Sequence, residues 1–197
     1  MKKLALYLAA AATLAAATPA LASGDVPFSG PRIGVDGGWG RIAGGHRISS
    51  DGFLYGATLG YDVASGPIRF GPEIRLGDST QKVCRSHPAG GSAARVCERS
   101  DRDLYAGARL GYVVTPKVLL YGTAGYTNVR FSDRFSDLSV GPVKNIDVSY
   151  NHDGFRVGGG TEYAVTSNIF VTGAYQYSMW KNHIHQNQLL AGVGYRF

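Results

Sequence analysis

The sequence predicts an all-β protein, with eight antiparallel strands in up-and-down order closed into a barrel. Three observations carry this. Apolar and polar residues alternate with a period of two in one stretch after another, the mark of a strand with two unlike faces. The connections alternate between long polar segments and tight turns, as an antiparallel meander requires. All 28 glycines of the 197 residues lie after residue 22, a density that opposes a helical fold.

The chain opens with MKKLALYLAAAATLAAATPALA. Lys2 and Lys3 form a basic head, an Ala/Leu core follows, and Ala20-Leu21-Ala22 ends in the small-x-small pattern of a cleavage site. Residues 1–22 therefore read as a secretory signal cleaved near Ala22, with 23–197 as one domain. No Cys follows the site and no Arg pair precedes the core, which argues against a lipid anchor and twin-Arg export. Without the two leader lysines, 18 basic residues stand against 14 acidic ones, a mild +4. The basic residues are scattered, so nucleic acid is not an expected partner. After residue 22 no apolar run approaches the length of a membrane-spanning helix.

The strands follow in order. In 33–41, Ile33, Val35 and Trp39 alternate with Gly34, Asp36, Gly38 and Gly40. In 53–62, Phe53, Tyr55, Leu59 and Tyr61 alternate with Leu54, Gly56, Thr58, Gly60 and Asp62. In 68–77, Ile68, Phe70, Ile74 and Leu76 alternate with Arg69, Gly71, Glu73 and Arg75. Stretches 104–112, 155–163 and 189–197 repeat the pattern, and 118–131 and 169–179 are strand-like but less clean. Segments 42–51, 78–101 and 132–147 read as long, polar, irregular loops, whereas 62–67, 113–117 and 165–168 are short turns and the last connection, around 180–184, is brief. Leu59-Gly60-Tyr61, Leu110-Gly111-Tyr112 and Thr161-Glu162-Tyr163 recur at spacings of 51 residues, each closing a strand that runs towards the short turns.

Alternation does not say which face is inside. A soluble calyx turns its apolar face in, and a membrane barrel turns it out. Three features choose the membrane. The polar face combines glycine with ions of both signs, which suits a narrow lumen better than a solvated exterior. Tyr61, Tyr112, Tyr163 and Tyr195 share the apolar face and one end, as an interfacial aromatic girdle would. The chain carries an export signal and ends in an aromatic, Phe197. The strands are long enough to cross when tilted, and closure removes the free edges that hydrocarbon would penalise. The expected fold is thus an eight-stranded antiparallel up-and-down transmembrane β-barrel.

Several motifs then carry a resemblance. Leu120-Tyr121-Gly122-Thr123-Ala124-Gly125-Tyr126, the run 155–163 (FRVGGGTEY), Ala174-Tyr175-Gln176-Tyr177 and the closing run 192–197 (GVGYRF) are similar to the small porin-family, opacity-type outer-membrane barrels of Gram-negative bacteria, related in architecture to OmpA-like membrane domains. The resemblance covers the whole of 23–197. It implies the cell outer membrane, with outer-membrane lipid, lipopolysaccharide and the assembly machinery as partners. The family pattern has an acid and an Arg where this chain has Ala174 and Gln176, so one interior ion pair is expected to be missing.

Asp36, Arg69, Glu73, Arg75, Arg109, Arg156 and Glu162 should project into one narrow space, which eight strands leave just wide enough for side chains to fill. A packed ion-pair network is expected, and a proton path or narrow pore is the competing use. Cys84 and Cys97 lie in the longest loop of an exported chain and are expected to form a disulfide that stiffens a basic lobe. Tyr195 and Phe197 read as the C-terminal assembly signal. His46, His87, His152, His183 and His185 all fall on the long-loop side, with no His/Cys/carboxylate spacing that singles out a metal set. Ser178 is near His183 and His185 in sequence, but no motif of an outer-membrane deacylase accompanies it. The reading is therefore a monomeric surface barrel with no catalytic, cofactor or metal site. It serves envelope integrity or contact with a host or envelope ligand through its loops. A narrow porin-like channel and a lipid-modifying enzyme are the alternatives.

Overall fold

A computed structural model describes residues 27–44, 48–89, 92–137, 145–180 and 184–197, with the side chains of 44, 48, 82–101 and 131–150 outside the description. The signal segment 1–22 also lies outside the described residues. Nine strands follow in chain order: β1 (Gly30–Gly44), β2 (Ile48–Ser65), β3 (Ile68–Ser79), β4 (Lys82–Ala89), β5 (Ser92–Thr115), β6 (Val118–Asp137), β7 (Asn145–Ala164), β8 (Ile169–Trp180) and β9 (Ile184–Arg196).

Eight of them make the barrel. Sequential neighbours pair antiparallel, β3 pairs directly with β5 (Arg69↔Gly111, Ile74↔Ala106), and β1 pairs with β9 (Ile33↔Tyr195, Val35↔Val193). That last ladder closes the sheet on itself. The main-chain N–H of Phe197 donates to the carbonyl of Pro31 at 3.0 Å, so the seam is bonded to the last residue. With no free strand edge left in the barrel wall, the backbone pairs within the sheet, the condition for crossing hydrocarbon, and the β2–β3 ladder is interrupted only where Gly71-Pro72 stands opposite Tyr61-Asp62.

The segments read as irregular loops are corrected by the structure. β4 pairs with the first part of β5 as a hairpin (Lys82↔Arg99, Ala89↔Ser92), and that part of β5 also pairs with β6 (Ala94↔Asp137). β6 runs to Asp137 and β7 begins at Asn145, so the described parts of 132–147 are ladder as well. Alternation marks a strand only where one face meets an apolar medium. Beyond that band the backbone ladder continues with polar residues on both faces, and the periodic signal disappears while the hydrogen bonds do not. At the other end two of the three turns are tighter than read, and 165–168 is as read. Two residues, Gly66-Pro67, join β2 to β3, and Gly66 adopts φ +57°, a conformation that suits glycine in a tight hairpin.

The face assignment follows the alternation. Leu110 is 62% exposed and Leu189 66%, and Val35, Leu59, Ile74, Leu76, Leu120, Val157 and Val171 are exposed on the same outward face. Such a continuous apolar surface around a whole barrel is unfavourable in water and is the face a bilayer covers. Tyr112, Tyr163 and Tyr195 are exposed, and Tyr61 half-buried, on this face at the short-turn end. A second aromatic band, which the sequence reading missed, lies at the long-loop end and includes Trp39, Phe53, Tyr55, Tyr126, Phe155 and Tyr175. Trp39 and Phe53 are register partners and meet edge to face at 5.1 Å. Amphipathic rings at both ends of an apolar belt are the pattern that membrane interfaces select.

Candidate functional site

The interior holds two layers of ion pairs. In the layer nearer the short turns, Arg32 Nε lies 3.1 Å from Asp62 Oδ2 and Arg32 Nη2 2.6 Å from Glu73 Oε2. Arg109 reaches Asp62 at 3.3 Å and Glu162 at 2.8 Å. Arg196 reaches the same two carboxylates at 3.0 and 2.9 Å. In the layer nearer the long loops, Arg75 holds Asp36 and approaches Asp103 at 3.4 Å. Arg156 Nη2 lies 2.8 Å from Asp103 Oδ2, and its Nε donates to Ser178 Oγ at 2.7 Å.

These positions follow from local chain geometry. Arg32 and Asp36 share the inward parity of β1, Glu73 and Arg75 that of β3, and Arg156 and Glu162 that of β7. Glycine makes the room. A Cβ at Gly60 would lie 2.6 Å from Arg32 Nη2, one at Gly56 2.8 Å from Arg75 Nη2, and one at Gly77 2.7 Å from Arg75 Nη1. Every ion buried this way loses several kcal/mol of hydration, about that much per group in real proteins, and only close, shared pairing offsets it. Asp62 accordingly serves three guanidiniums. Arg109 also stacks over the Tyr121 ring, with its Cζ 3.9 Å from the ring centre.

Of the seven residues assigned to this network from sequence, six are in it. Arg69 is buried at the short-turn mouth, but it donates to the main-chain carbonyls of Pro27, Gly66 and Ile68, each at 2.8 Å, and holds the entering chain and the turn. Arg32, Asp62, Asp103 and Arg196 were missed. Each is one parity step beyond, or at the end of, an alternating stretch, so extending the parity would have found them. In the network, five buried arginines therefore face five carboxylates, and Arg69 is held by main-chain carbonyls instead.

Both ends of the lumen are apolar. At the short-turn end Phe28, 5% exposed, lies under Arg196, as does Phe170. At the other end Ile42, Val129 and Trp180 pack together with Ile184. Beneath that plug, Gln188 donates to Gln186 at 2.7 Å and Gln186 to Gln81 at 3.1 Å. Between the ionic layers is a cavity of about 50 Å³ lined by Asp36, Glu73, Arg75, Glu162, Ala174 and Gln176, among others. It lies at the two positions where the family's acid and Arg are replaced. Its size suits a few waters, which the charged groups of Asp36, Glu73, Arg75 and Glu162 among its lining could bind.

The family comparison agrees with this architecture. The outer membrane protein beta-barrel domain matches residues 8–197. The chain belongs to that family. It is 29% identical to a 22 kDa outer membrane protein of Rhizobium leguminosarum bv. viciae, over 76% of this chain and 71% of that one. In fold it is similar to Ail, the attachment invasion locus protein of Yersinia pestis, with a TM-score of 0.56, 16% identity, and coverage of 86% of this chain and 100% of that one. It is also similar to Neisserial surface protein A, with a TM-score of 0.53, 20% identity, and coverage of 86% and 98%. The chain is an outer-membrane β-barrel whose lumen is filled by buried salt bridges.

The remaining candidates of this outer-membrane barrel are placed as follows. Cys84 and Cys97 are direct partners in the β4–β5 ladder. Their side chains lie outside the described residues. Ser178 is buried in the lumen against Arg156, whereas His185 is on the outer wall against Tyr177, its Nδ1 3.1 Å from the Tyr hydroxyl. The two face opposite sides of the wall and cannot form a nucleophile–base pair. His152 is half-buried on β7. His46, His183 and the side chain of His87 lie outside the described residues. No group of three metal-ligating side chains occurs among the described residues. Phe197 is 72% exposed at the seam and meets Tyr195 edge to face at 4.9 Å.

Proposed function

We propose that this barrel is a non-catalytic surface protein of the outer membrane, contributing to envelope structure and presenting its extended strands for contact. The observation that carries this is the closed lumen. Among the described residues, two ion-paired layers, an amide row and an apolar plug at each end fill the lumen around a cavity of about 50 Å³. A solute would have to break several buried pairs to pass. The separation of Ser178 from His185 removes one of the two nucleophile–base pairs that the sequence suggested, and His183, the other base, lies outside the described residues.

The contact role is supported by what projects past the upper aromatic band: the β4–β5 hairpin and the upper parts of β6 and β7. Residues 82–102 carry Lys82, Arg85, Arg95, Arg99 and Arg102 against Glu98 and Asp101, a net positive lobe. A host or envelope ligand would meet this lobe. The apolar belt provides for lateral contact with lipid and lipopolysaccharide, and the exposed Tyr195–Phe197 end provides a handle for the assembly machinery.

Planar-bilayer recording of the purified barrel tests this reading. No steady large conductance is expected. Porin-sized openings, or uptake of small sugars into liposomes, would sink it in favour of the channel. Mass analysis of lipid A from cells with and without the protein tests the catalytic alternative, and identical lipid A is expected.

A further inference from the structure

We propose that Gln81, at the junction of β3 and β4, is a latch that holds the long-loop mouth of the lumen shut and ties that closure to the base of the β4–β5 hairpin. The sheet divides at this point. The β2–β3 ladder ends at Leu54↔Ser79, and β4 then pairs with β5. Thr80 adds one more tie to β2: its N–H donates to the Phe53 carbonyl at 2.9 Å, and its Oγ1 accepts from the Phe53 N–H at 3.1 Å. Gln81 comes next, and its side chain is turned into the lumen and buried. It reaches two other walls. Its Nε2 donates to the Gly40 carbonyl of β1 at 2.9 Å, and its Oε1 accepts from Gln186 Nε2 of β9 at 3.1 Å. Gly52 makes the room, since a Cβ there would stand 3.1 Å from the Gln81 Cα and N and closer still to its Cγ.

Three features distinguish a latch from a fixed strut. The first is strength. Gln81 is held by neutral amide bonds, and breaking these costs far less than separating the buried ion pairs beneath, such as Arg156 with Asp103. This end of the lumen is therefore the part that opens first. The second is polar balance. Ser79 Oγ, Trp180 Nε1 and Gln188 Oε1 are buried at this end without a hydrogen-bond partner. An unpaired buried polar atom carries a desolvation cost that water would relieve, so the closed mouth is held against a standing gain from opening. The third is leverage. Gln186 is the register partner of Ile42, which packs with Val129 and Trp180 in the apolar plug. Releasing Gln81 thus loosens the floor of the plug together with the base of the hairpin. Water would then enter as far as the Arg156–Asp103 pair, which makes an open pocket and not a channel. The inference rests on the surface-barrel reading above, which turns this end outwards and offers the hairpin for contact.

Trp180 reports on the plug, because Trp39→Phe leaves it the sole tryptophan of the chain. The test measures acrylamide quenching of Trp180 in that background, with the full-length folded barrel in lipid vesicles. Gln81→Ala is expected to raise the quenching constant roughly threefold, as local opening would. Gln186→Ala is expected to do the same, and the double variant to add little to either, since both remove one latch. Heat-dependent gel mobility confirms that each variant is folded. Gln81→Asn, which keeps the amide but shortens its reach, serves if Gln81→Ala is not folded. Unchanged quenching in the folded Gln81 variant would overturn the latch. A rise with Gln81→Ala but none with Gln186→Ala would overturn its span to β9. Steady porin-sized conductance of the unsubstituted barrel would instead remove the surface-barrel reading, which the quenching comparison does not touch.

Discussion

Asp103 and Arg156 meet across the lumen from β5 and β7, with β6 between them and 53 residues apart in the chain. Arg156 Nη2 lies 2.9 and 2.8 Å from the two carboxylate oxygens. Asp103 also receives Arg75, so one carboxylate ties three walls of the barrel together. Asp103→Ala should therefore leave two buried guanidiniums short of charge. A loss of about 3–5 kcal/mol is expected, the usual cost of removing one side of a buried pair. Urea unfolding in lipid vesicles measures it, and a loss under about 1 kcal/mol would show that the pair is solvated.

Glu162 plays the matching part in the other layer, ion-paired with Arg109 at 2.8 Å and accepting from Arg196 Nη2 at 2.9 Å. Glu162→Ala and Arg109→Ala should each lower the temperature at which the heat-modified band appears on gels. Because both belong to one network, the double variant should lose less than the sum of the single losses. Strict additivity would place the two in separate environments.

Gly60 gives a test of the packing itself. Where space allows, Gly→Ala commonly stabilises by about 0.4–1 kcal/mol through the unfolded chain. Here the new Cβ would meet Arg32 Nη2 at 2.6 Å and displace it from Asp62 and Glu73. Gly60→Ala is expected to destabilise. A stabilised variant would mean that the lumen has slack.

The girdle of Tyr61, Tyr112, Tyr163 and Tyr195 should mark the periplasmic interface. In a variant with Cys84 and Cys97 replaced by Ser, single cysteines at Ser65 or Ser167 should resist an impermeant reagent on intact cells. Cysteines at Gly91 or Asp137 should react. Labelling of the first pair would invert the barrel.

Cys84 and Cys97 are ladder partners on neighbouring strands. A disulfide between them should be visible as a shift in gel mobility on reduction. Closing the 14 residues from one to the other would stabilise the hairpin by about 3 kcal/mol in the chain-entropy view. The barrel below should keep its heat-modified behaviour when the bond is reduced, and collapse of the whole fold on reduction would contradict that independence.

Removing Phe197 should lower the yield of inserted barrel more than Leu189→Ala, which trims the same outer face mid-wall. Equal yields would remove the assembly role of the exposed C-terminal ring.

The outward face, the strand number of the barrel and the choice of lipid over water were legible because they are local. A period of two assigns each side chain to a side, and Val35, Leu59, Leu110 and Val193 declare which side is apolar without reference to any other strand. The same parity put Asp36, Arg75, Arg109 and Glu162 inside. The ends of the strands were not legible. Arg32 and Asp103 stand just before the alternating stretches, where the apolar signal has not yet begun, and the sequence of β4 carries no long alternating run to reveal it. Which ions meet was decided only by closure. Joining β1 to β9 and β3 to β5 sets the stagger of the wall, and that stagger brings Arg196 to Asp62 and Arg156 to Asp103. Parity fixes a side chain's direction along its own strand, but Coulomb attraction depends on distances across a lumen that exists only once the last strand has bonded to the first.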